Sequence, residues 1–356
     1  VELQLHGGPG VCRSVAAALG SLSGLRAAAP GEFTRRALLN GKLDLAQVEG
    51  VSDLLAAETA AQTRQAIALM DGALSASAGL WRDRLLRALA LVEASVDFAE
   101  EDVPAAALDE ARELLADVAR RFEAEIAGSN VAERLRAGFE VALVGAPNVG
   151  KSTLLNTIAG REAALTSEVA GTTRDVIEVR LELEGLPVTI VDMAGLRATD
   201  DPVETLGVAR ARHRAQQADL RVFLVEDGVC HALGVDVQPG DLVLLAKADL
   251  LGAPCEGSVS GLTGEGVEPL LQRLVAELSN RAASAGLINR ERHRQALARA
   301  LDSIESACAW LGPVAPQLEL GAADISAALR ALDFLVGRVD VESVLDKVFS
   351  SFCIGK

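Results

Sequence analysis

The chain has 356 residues, is 50% apolar and carries a formal net charge of −16. This length is enough for two or three domains, and the lack of any long uninterrupted apolar run predicts neither a membrane span nor a signal peptide. Proteins that grip nucleic acid by themselves usually present a basic face, because binding releases counterions, so the acidic balance argues against that class. Five scattered cysteines without C-x-x-C spacing predict reduced thiols in a cytoplasm and no zinc site.

The N-terminal part of the sequence predicts a short remnant followed by helices. Residues 1–5 are strand-like and begin at Val1 rather than at methionine, which indicates a truncated start. From about residue 45 to residue 137, apolar side chains recur at helical spacing with charges between them. This pattern predicts the helices of a bundle.

The central part of the sequence alternates apolar strands with helices, which predicts an α/β domain with a mainly parallel sheet. Strands are expected near 139–144, 177–184, 187–192, 220–225, 241–246 and 257–260. The segment 231–240, between the fourth and fifth predicted strands, is too short for a convincing helix, so we expect the α/β domain to be reduced on that face.

The C-terminal part returns to helical periodicity, over 290–301, 325–336 and 341–348. The α/β domain is therefore expected to be inserted into a helical domain whose two halves meet in space. Within the first of these segments, the basic run 290–294 leaves a local basic patch open, but it is more typical of a solvated helix face.

A glycine-rich turn interrupts the first predicted strand of the α/β domain and leads into a helix. Its spacing, G-x-x-x-x-G-K-S, begins at Gly145 and continues through Gly150, Lys151 and Ser152. Such a loop turns backbone N–H groups toward phosphates, the lysine reaches the β- and γ-phosphates, and the serine hydroxyl binds Mg²⁺. The loop residues expected to contact nucleotide are Asn148, Val149, Gly150, Lys151, Ser152 and Thr153.

Three further segments follow in the order that a guanine-nucleotide domain requires. Asp192 ends an apolar strand and can hold Mg²⁺ through water, and Gly195 can sense the γ-phosphate. Asp192 could instead be a plain strand-end turn residue. Thr173 is the candidate for a hydroxyl that a mobile loop brings to the metal. The turn that includes Lys247 and Asp249 is expected to read the base, since a carboxylate accepts from the guanine N1–H and 2-amino groups that adenine lacks.

The sequence resembles the MnmE (TrmE) family of tRNA modification GTPases over essentially the whole chain. The similarity lies in residues 30–44, 145–153, 170–175 and 192–197 and in the terminal Phe352-Cys353-Ile354-Gly355-Lys356. The resemblance implies a P-loop GTPase domain inserted into an all-α helical domain, with a truncated α+β N-terminal domain. The implied boundaries are 1–46 for the N-terminal remnant, 47–137 and 279–356 for the two helical halves, and 138–278 for the GTPase domain.

One position departs from the family pattern. The guanine motif of the family is Asn-Lys-x-Asp, but Ala246 stands at its first position. The missing amide removes one base-edge contact, worth about 1 kcal/mol, so we expect weaker binding with the guanine preference kept by Asp249. The resemblance also assigns Ser260, Gly261 and Leu262 to the loop that closes over the base.

The resemblance further implies potassium-dependent hydrolysis, in which K⁺ takes the place of an arginine finger. Its oxygen ligands would come from Asn148, Ser167, Val169 and Thr172, and hard oxygen ligands suit such a cation. Asn148 could also be a simple turn residue after Pro147. On general grounds Arg174 and Arg197 are finger candidates, although arginines in mobile loops more often form surface ion pairs.

Two more catalytic assignments come from the resemblance. It makes Glu204 the residue that positions water, whereas the sequence by itself is equally compatible with a carboxylate at a helix start. It also places Cys353 near the modification site, as a candidate for catalytic machinery. A free cysteine is more commonly a small buried apolar residue.

For the termini and partners, the resemblance implies a dimerising N-terminal domain that binds a tetrahydrofolate derivative, either 5,10-methylene or 5-formyl. Its folate contacts would be Glu2, Lys42 and Lys356, although ordinary surface charge is the simpler interpretation. The implied partners are a second copy of the chain, tRNA, and the FAD- and NADH-using protein MnmG in a heterotetramer. Formation of 5-carboxymethylaminomethyl at the wobble uridine is the implied modification.

Two other functions stay open on the sequence. A ribosome-assembly GTPase would share the nucleotide core, but such factors append basic RNA-binding modules and this chain has helices and a Cys-Ile-Gly-Lys end instead. A regulatory protein that holds GTP without hydrolysing it is kept open by Ala246.

Overall fold

The computed structural model describes residues 2–97, 105–161, 177–193, 202–226, 235–251, 256–312 and 316–338. The helices are α1 (Pro9–Gly20), α2 (Glu32–Leu39), α3 (Leu45–Ala56), α4 (Ala60–Met70), α5 (Ala73–Asp97), α6 (Ala105–Ala137), α7 (Lys151–Arg161), α8 (Pro202–Gln217), α9 (Val267–Ala282), α10 (Glu291–Trp310) and α11 (Leu318–Val336). The strands are β1 (Phe139–Gly145), β2 (Ile177–Leu183), β3 (Leu186–Asp192), β4 (Leu220–Val225), β5 (Leu242–Ala246) and β6 (Ser258–Val259).

Four long helices, α5, α6, α10 and α11, form one helical core. Each contributes an apolar stripe at helical spacing, as in Leu74, Ala78, Trp81 and Leu85 on α5, which are all buried. The core joins residues on both sides of the α/β domain, since α10 packs on α6 and α11 packs on α5. The prediction that the α/β domain is inserted into a helical one is therefore confirmed.

The six strands form one sheet in the order β2-β3-β1-β4-β5-β6. Only the β2–β3 pair is antiparallel, so the prediction of a mainly parallel sheet is confirmed. Strands β1, β3 and β4 coincide with predicted segments to within one residue, because each is a nearly continuous buried apolar run, as is typical of strands that pair in parallel inside a sheet. The carboxyl ends of β1, β3 and β5 consequently meet at one edge of the sheet.

The helical part contacts the α/β part at the start of α4. The backbone N–H of Ala61 donates to the carbonyl oxygen of Gly185, in the β2–β3 turn, at 3.1 Å. Ala61 is buried within the core of the α/β part. At the other connection α6 runs directly into β1 through Gly138, whose positive φ of 104° turns the chain.

The strand predicted at residues 1–5 is wrong for the part that the structure describes, because residues 2–8 form no regular element. A strand is stable only beside another strand, and no described strand pairs with this segment. Helix α1 follows it with no buried residue.

The basic run 290–294 does not form a solvated helix face. His293 is fully buried, and the side chains of Arg290 and Arg292 are only 23% and 14% exposed. All three residues face the carboxylates of Glu49 and Asp53 on α3, so the charges of Arg290 and Arg292 are neutralised inside the helical part. A periodic pattern alone could not identify these carboxylates, because they lie far away in sequence.

Within the described ranges, no helix combines the length and the hydropathy needed to cross a membrane.

Candidate nucleotide-binding site

The glycine-rich loop predicted to bind phosphate connects β1 to α7. Gly145 has no space for a side chain, since a Cβ there would lie 2.7 Å from the carbonyl oxygen of Leu224 on β4. Asn148 and Gly150 both have positive φ, 62° and 108°, as the turn before α7 requires. The sequence thus supplies glycine or asparagine where the backbone leaves the usual regions, and the helix N-terminus follows at once.

Lys151, the first residue of α7, is folded onto this loop. Its Nζ donates to the carbonyl oxygens of Gly145 and Ala146, each at 3.0 Å, and the residue is 7% exposed. Burial lowers the pKa of the Lys151 ammonium, while the negative charge of Asp192 acts in the opposite direction. A buried ammonium beside a helix N-terminus attracts an anion.

Two of the three Mg²⁺ ligands predicted from the sequence, Ser152 and Asp192, lie together. The hydroxyl of Ser152 contacts Oδ2 of Asp192 directly, and the register Leu143–Asp192 fixes the end of β3 beside β1. Asp192 is fully buried, and its Oδ1 has no hydrogen-bond partner among the described residues. A buried carboxylate oxygen without a donor needs a cation or an ordered water, so these two residues fit Mg²⁺.

The predicted base-reading turn follows β5. Lys247 has a positive φ of 59°, and its Nζ pairs with Oε1 of Glu226 at 2.6 Å. Asp249 is exposed and accepts a hydrogen bond from the hydroxyl of Ser260. That hydroxyl oxygen also accepts from the backbone N–H groups of Leu262 and Thr263, each at 3.2 Å. One buried serine therefore fixes both the carboxylate and the loop after β6.

The phosphate loop and the base-reading turn share one pocket of about 310 Å³. Predicted nucleotide-binding residues line it, together with Leu154, Leu224, Ala246, Leu250 and Val259; the predicted ones are Asn148, Val149, Gly150, Thr153, Lys247, Asp249, Ser260, Gly261 and Leu262. The side chain of Leu262 lies at the rim and is 78% exposed. The pocket holds anion-binding backbone at one end and a hydrogen-bonding carboxylate at the other, as a nucleotide requires.

Comparison with known proteins agrees with this geometry. The family model described as MnmE helical domain matches residues 45–353, and the one described as GTP-binding protein TrmE N-terminus matches residues 1–42. The chain belongs to the MnmE family. The tRNA modification GTPase MnmE of Ruegeria pomeroyi is 55% identical and that of Cereibacter sphaeroides (strain ATCC 17029) is 56% identical. Each match covers 100% of this chain and 82% of the relative.

Among solved structures, a GTP-binding protein from Sulfolobus solfataricus in complex with GDP has a TM-score of 0.31 and 14% identity. The match covers 56% of this chain and 67% of the chain in that structure.

Membership in the MnmE family makes the chain a GTP hydrolase, and the resemblance to MnmE predicted from the sequence is confirmed.

Several residues that the MnmE resemblance assigns lie outside the described residues. These are Ser167, Val169, Thr172, Thr173, Gly195, Cys353 and Lys356, together with the finger candidates Arg174 and Arg197. Glu204 lies in the first turn of α8, but its side chain is likewise outside the description. Their roles stay predictions.

The other two folate candidates lie in the N-terminal segment of the MnmE-like chain. Glu2 and Lys42 are both exposed, and Lys42 lies in the turn between α2 and α3. A folate site at these residues therefore stays a prediction.

Sequence reasoning missed two residues of the site. Thr157 donates through its hydroxyl to the carbonyl oxygen of Gly261, and Glu226 pairs with Lys247. Thr157 stands one helical turn after Thr153, so it projects from the same face of α7, and that spacing could have indicated it. Glu226 directly follows β4, whose carboxyl end reaches the same edge of the sheet as β5.

Proposed function

We propose that the chain is a potassium-activated GTPase that converts GTP to GDP and phosphate with Mg²⁺ in the pocket described above. The observation that carries the proposal is the arrangement at the edge of the sheet, where Lys151, Ser152 and Asp192 surround the end of the phosphate loop. Phosphoryl transfer depends mainly on charge neutralisation and a positioned water, and these residues provide the charged part of that machinery.

The potassium part of the proposal rests on Asn148. This residue is exposed and lines the nucleotide pocket, and its side chain carries an amide oxygen of the kind that binds a hard cation. Ser167, Val169 and Thr172 would supply the remaining oxygens, and Glu204 would position the attacking water. A monovalent cation beside the transferred phosphate would take the role that an arginine finger has in other GTPases.

The biological reaction proposed is modification of the tRNA wobble uridine to 5-carboxymethylaminomethyluridine, in the cytoplasm. Membership in the MnmE family supports it, as does the 55% identity to a tRNA modification GTPase. A net charge of −16 favours a shared task, in which a partner carries much of the RNA contact. We propose that this partner is an MnmG-like FAD protein, bound to a homodimer of this chain as a heterotetramer, with a tetrahydrofolate derivative as one-carbon donor.

The experiment that tests hydrolysis compares initial GTPase rates in KCl, RbCl and NaCl at one ionic strength. We expect turnover in K⁺ and Rb⁺ and little turnover in Na⁺, because the ligand oxygens must match the size of the cation. Equal rates in all three salts would overturn the potassium role. GDP binding with no turnover in any salt would favour the regulatory GTP-binding protein that Ala246 keeps open.

Two further measurements test the remaining parts. Glu204→Ala should slow hydrolysis and leave GTP affinity nearly intact, and a wild-type rate would remove Glu204 from the mechanism. For the tRNA reaction, nucleosides from cells that depend on this chain are analysed by mass spectrometry. Loss of the carboxymethylaminomethyl group with Glu204→Ala, but not with wild type, is the expected result. An unmodified wild-type control would contradict the proposed substrate.

A further inference from the structure

The loop after β6 is held in place at two points. Ser260 is 1% exposed and fixes the loop to Asp249 through its hydroxyl. The backbone hydrogen bonds from Gly264 to Ser260 and from Ser260 to Glu265 close the loop on itself. The first contact joins the loop to the base-reading turn and the backbone bonds define its internal shape, but none of them attaches it to the phosphate end of the pocket.

The attachment to the phosphate end comes from α7. The hydroxyl of Thr157 donates to the carbonyl oxygen of Gly261, and no other hydrogen bond joins α7 to this loop in the described part of the chain. The approach is very close, since a Cβ at Gly261 would lie 2.4 Å from the backbone nitrogen of Leu154. This loop after β6, residues 260–265, is called the base loop below. It is therefore packed against α7, the helix that begins at Lys151.

The neighbouring strand β5 offers no side-chain hydrogen bond to the base loop, because all its side chains are apolar. Ala246, at the end of β5, lines the pocket, is 4% exposed and pairs in register with Val259, the residue before Ser260. Its methyl group can neither donate nor accept a hydrogen bond. The sheet position that adjoins the base loop, Ala246, therefore has no polar side chain.

We propose that Thr157 is a positioning residue for guanine binding, which holds the base loop in register with the phosphate loop in place of a polar group at Ala246. This inference rests on the proposed guanine-nucleotide site. The backbone N–H of Gly261 donates to no atom of the described residues and lies in the pocket lining. Because Thr157 binds the carbonyl oxygen of the same residue, it limits the movement of Gly261 and keeps this N–H where it can serve the O6 atom of guanine.

The test uses the full chain and displacement of a fluorescent GDP analogue. Thr157→Val keeps the shape of the side chain but removes the hydroxyl, whereas Thr157→Ser keeps the hydroxyl and is the matched control. A net hydrogen bond corresponds to about fivefold in affinity, so Thr157→Val should weaken GDP binding about fivefold, mainly through faster dissociation. Thr157→Ser should bind GDP within about twofold of wild type.

Inorganic pyrophosphate separates positioning of the base loop from general damage to the site. It reports on the phosphate end alone, so its displacement constant should be the same for wild type and Thr157→Val. A loss of pyrophosphate and GDP affinity by the same factor would overturn the proposal, as would an unchanged affinity for GDP. Thermal unfolding of the nucleotide-free variants serves as the check on folding.

Ala246→Asn provides an independent arm. An amide beside Val259 should tighten GDP binding. It should also reduce the effect of Thr157→Val in the double variant, because the amide can then position the base loop when the Thr157 hydroxyl is absent. Strictly additive effects of the two substitutions on GDP affinity would contradict the proposal that Thr157 takes the place of a polar group at position 246. If wild type does not bind GDP at all, the proposed function fails; if wild type binds and Thr157→Val binds equally well, only this inference fails.

Discussion

Nε2 of His293 lies 2.7 Å from Oε2 of Glu49, and both side chains are buried. The two residues belong to α10 and α3, on opposite sides of the inserted α/β domain in sequence. Arg292 pairs with the same carboxylate at 2.8 Å and also donates to the carbonyl oxygens of Phe334 and Leu335 at the end of α11. A single carboxylate thus joins both halves of the helical domain.

Glu49→Gln should destabilise the helical domain strongly. Burial raises the pKa of Glu49, but the hydrogen bond from His293 and the charge of Arg292 outweigh burial and lower the pKa to about 2, so Glu49 is ionised at neutral pH. Removing one partner of a buried ion pair leaves the other unpaired and costs about 3–5 kcal/mol. Urea unfolding followed by helical circular dichroism measures this loss.

The matched control for that substitution is Glu110→Gln. Glu110 pairs with Arg87 on the surface at 3.0 Å, where the two side chains are 47% and 61% exposed. Exposed pairs contribute about 0–1 kcal/mol, so this variant should unfold almost as wild type does. Equal losses for the two variants would contradict the role of burial.

The same pair predicts how the stability of the fold depends on pH. Burial lowers the pKa of His293 from its ordinary 6.5, although the hydrogen bond to Glu49 acts against this shift. Its Nδ1 has no partner among the described residues, as expected of a neutral imidazole that donates through Nε2. Because the unfolded chain then binds a proton that the folded chain excludes, stability is present above pH 6.5 and falls below it.

Between pH 7 and pH 5 we expect the free energy of unfolding to decrease, with a slope from His293 of at most about 1.4 kcal/mol per pH unit. His293→Gln keeps a donor for Glu49 but cannot titrate, so it should remove this part of the slope. The stabilisation from Glu49 itself is complete above its ordinary pKa of 4.5 and is lost only toward pH 2, outside this window.

These residues also show what the sequence alone could predict. The strands and the phosphate loop follow from local patterns, because apolar runs, glycines and Lys151 are neighbours in the chain. Glu49 and His293 could not be paired, since their contact depends on how α3 and α10 meet across the inserted domain. By charge alone the run 290–294 is typical of a solvated face, but His293 shares a buried stripe of α10 with Leu297 and Ala300.

The buried carboxylate at the end of β3 predicts a metal-specific defect. Asp192→Asn removes the charge beside Ser152, so the Mg²⁺ concentration for half-maximal GTPase activity should rise about 10–100-fold, the usual range for a ligand acting through water. Titrating Mg²⁺ at saturating GTP measures this shift. Asp302→Asn, at an exposed position of α10, removes a charge far from the pocket and should leave the titration unchanged.

Asn148→Gly separates the amide of the phosphate loop from its backbone. Asn148 has a φ of 62°, which glycine adopts without strain, so the variant keeps the loop and loses only the side chain. If that amide binds K⁺, the GTPase rate in KCl should fall about tenfold or more, toward the rate in NaCl, while GDP affinity changes by less than about threefold. Asn148→Ala lacks the amide as well but adds backbone strain of about 1–2 kcal/mol, so it should also weaken GDP binding. A glycine variant that keeps its full response to K⁺ would show that Asn148 serves only the turn.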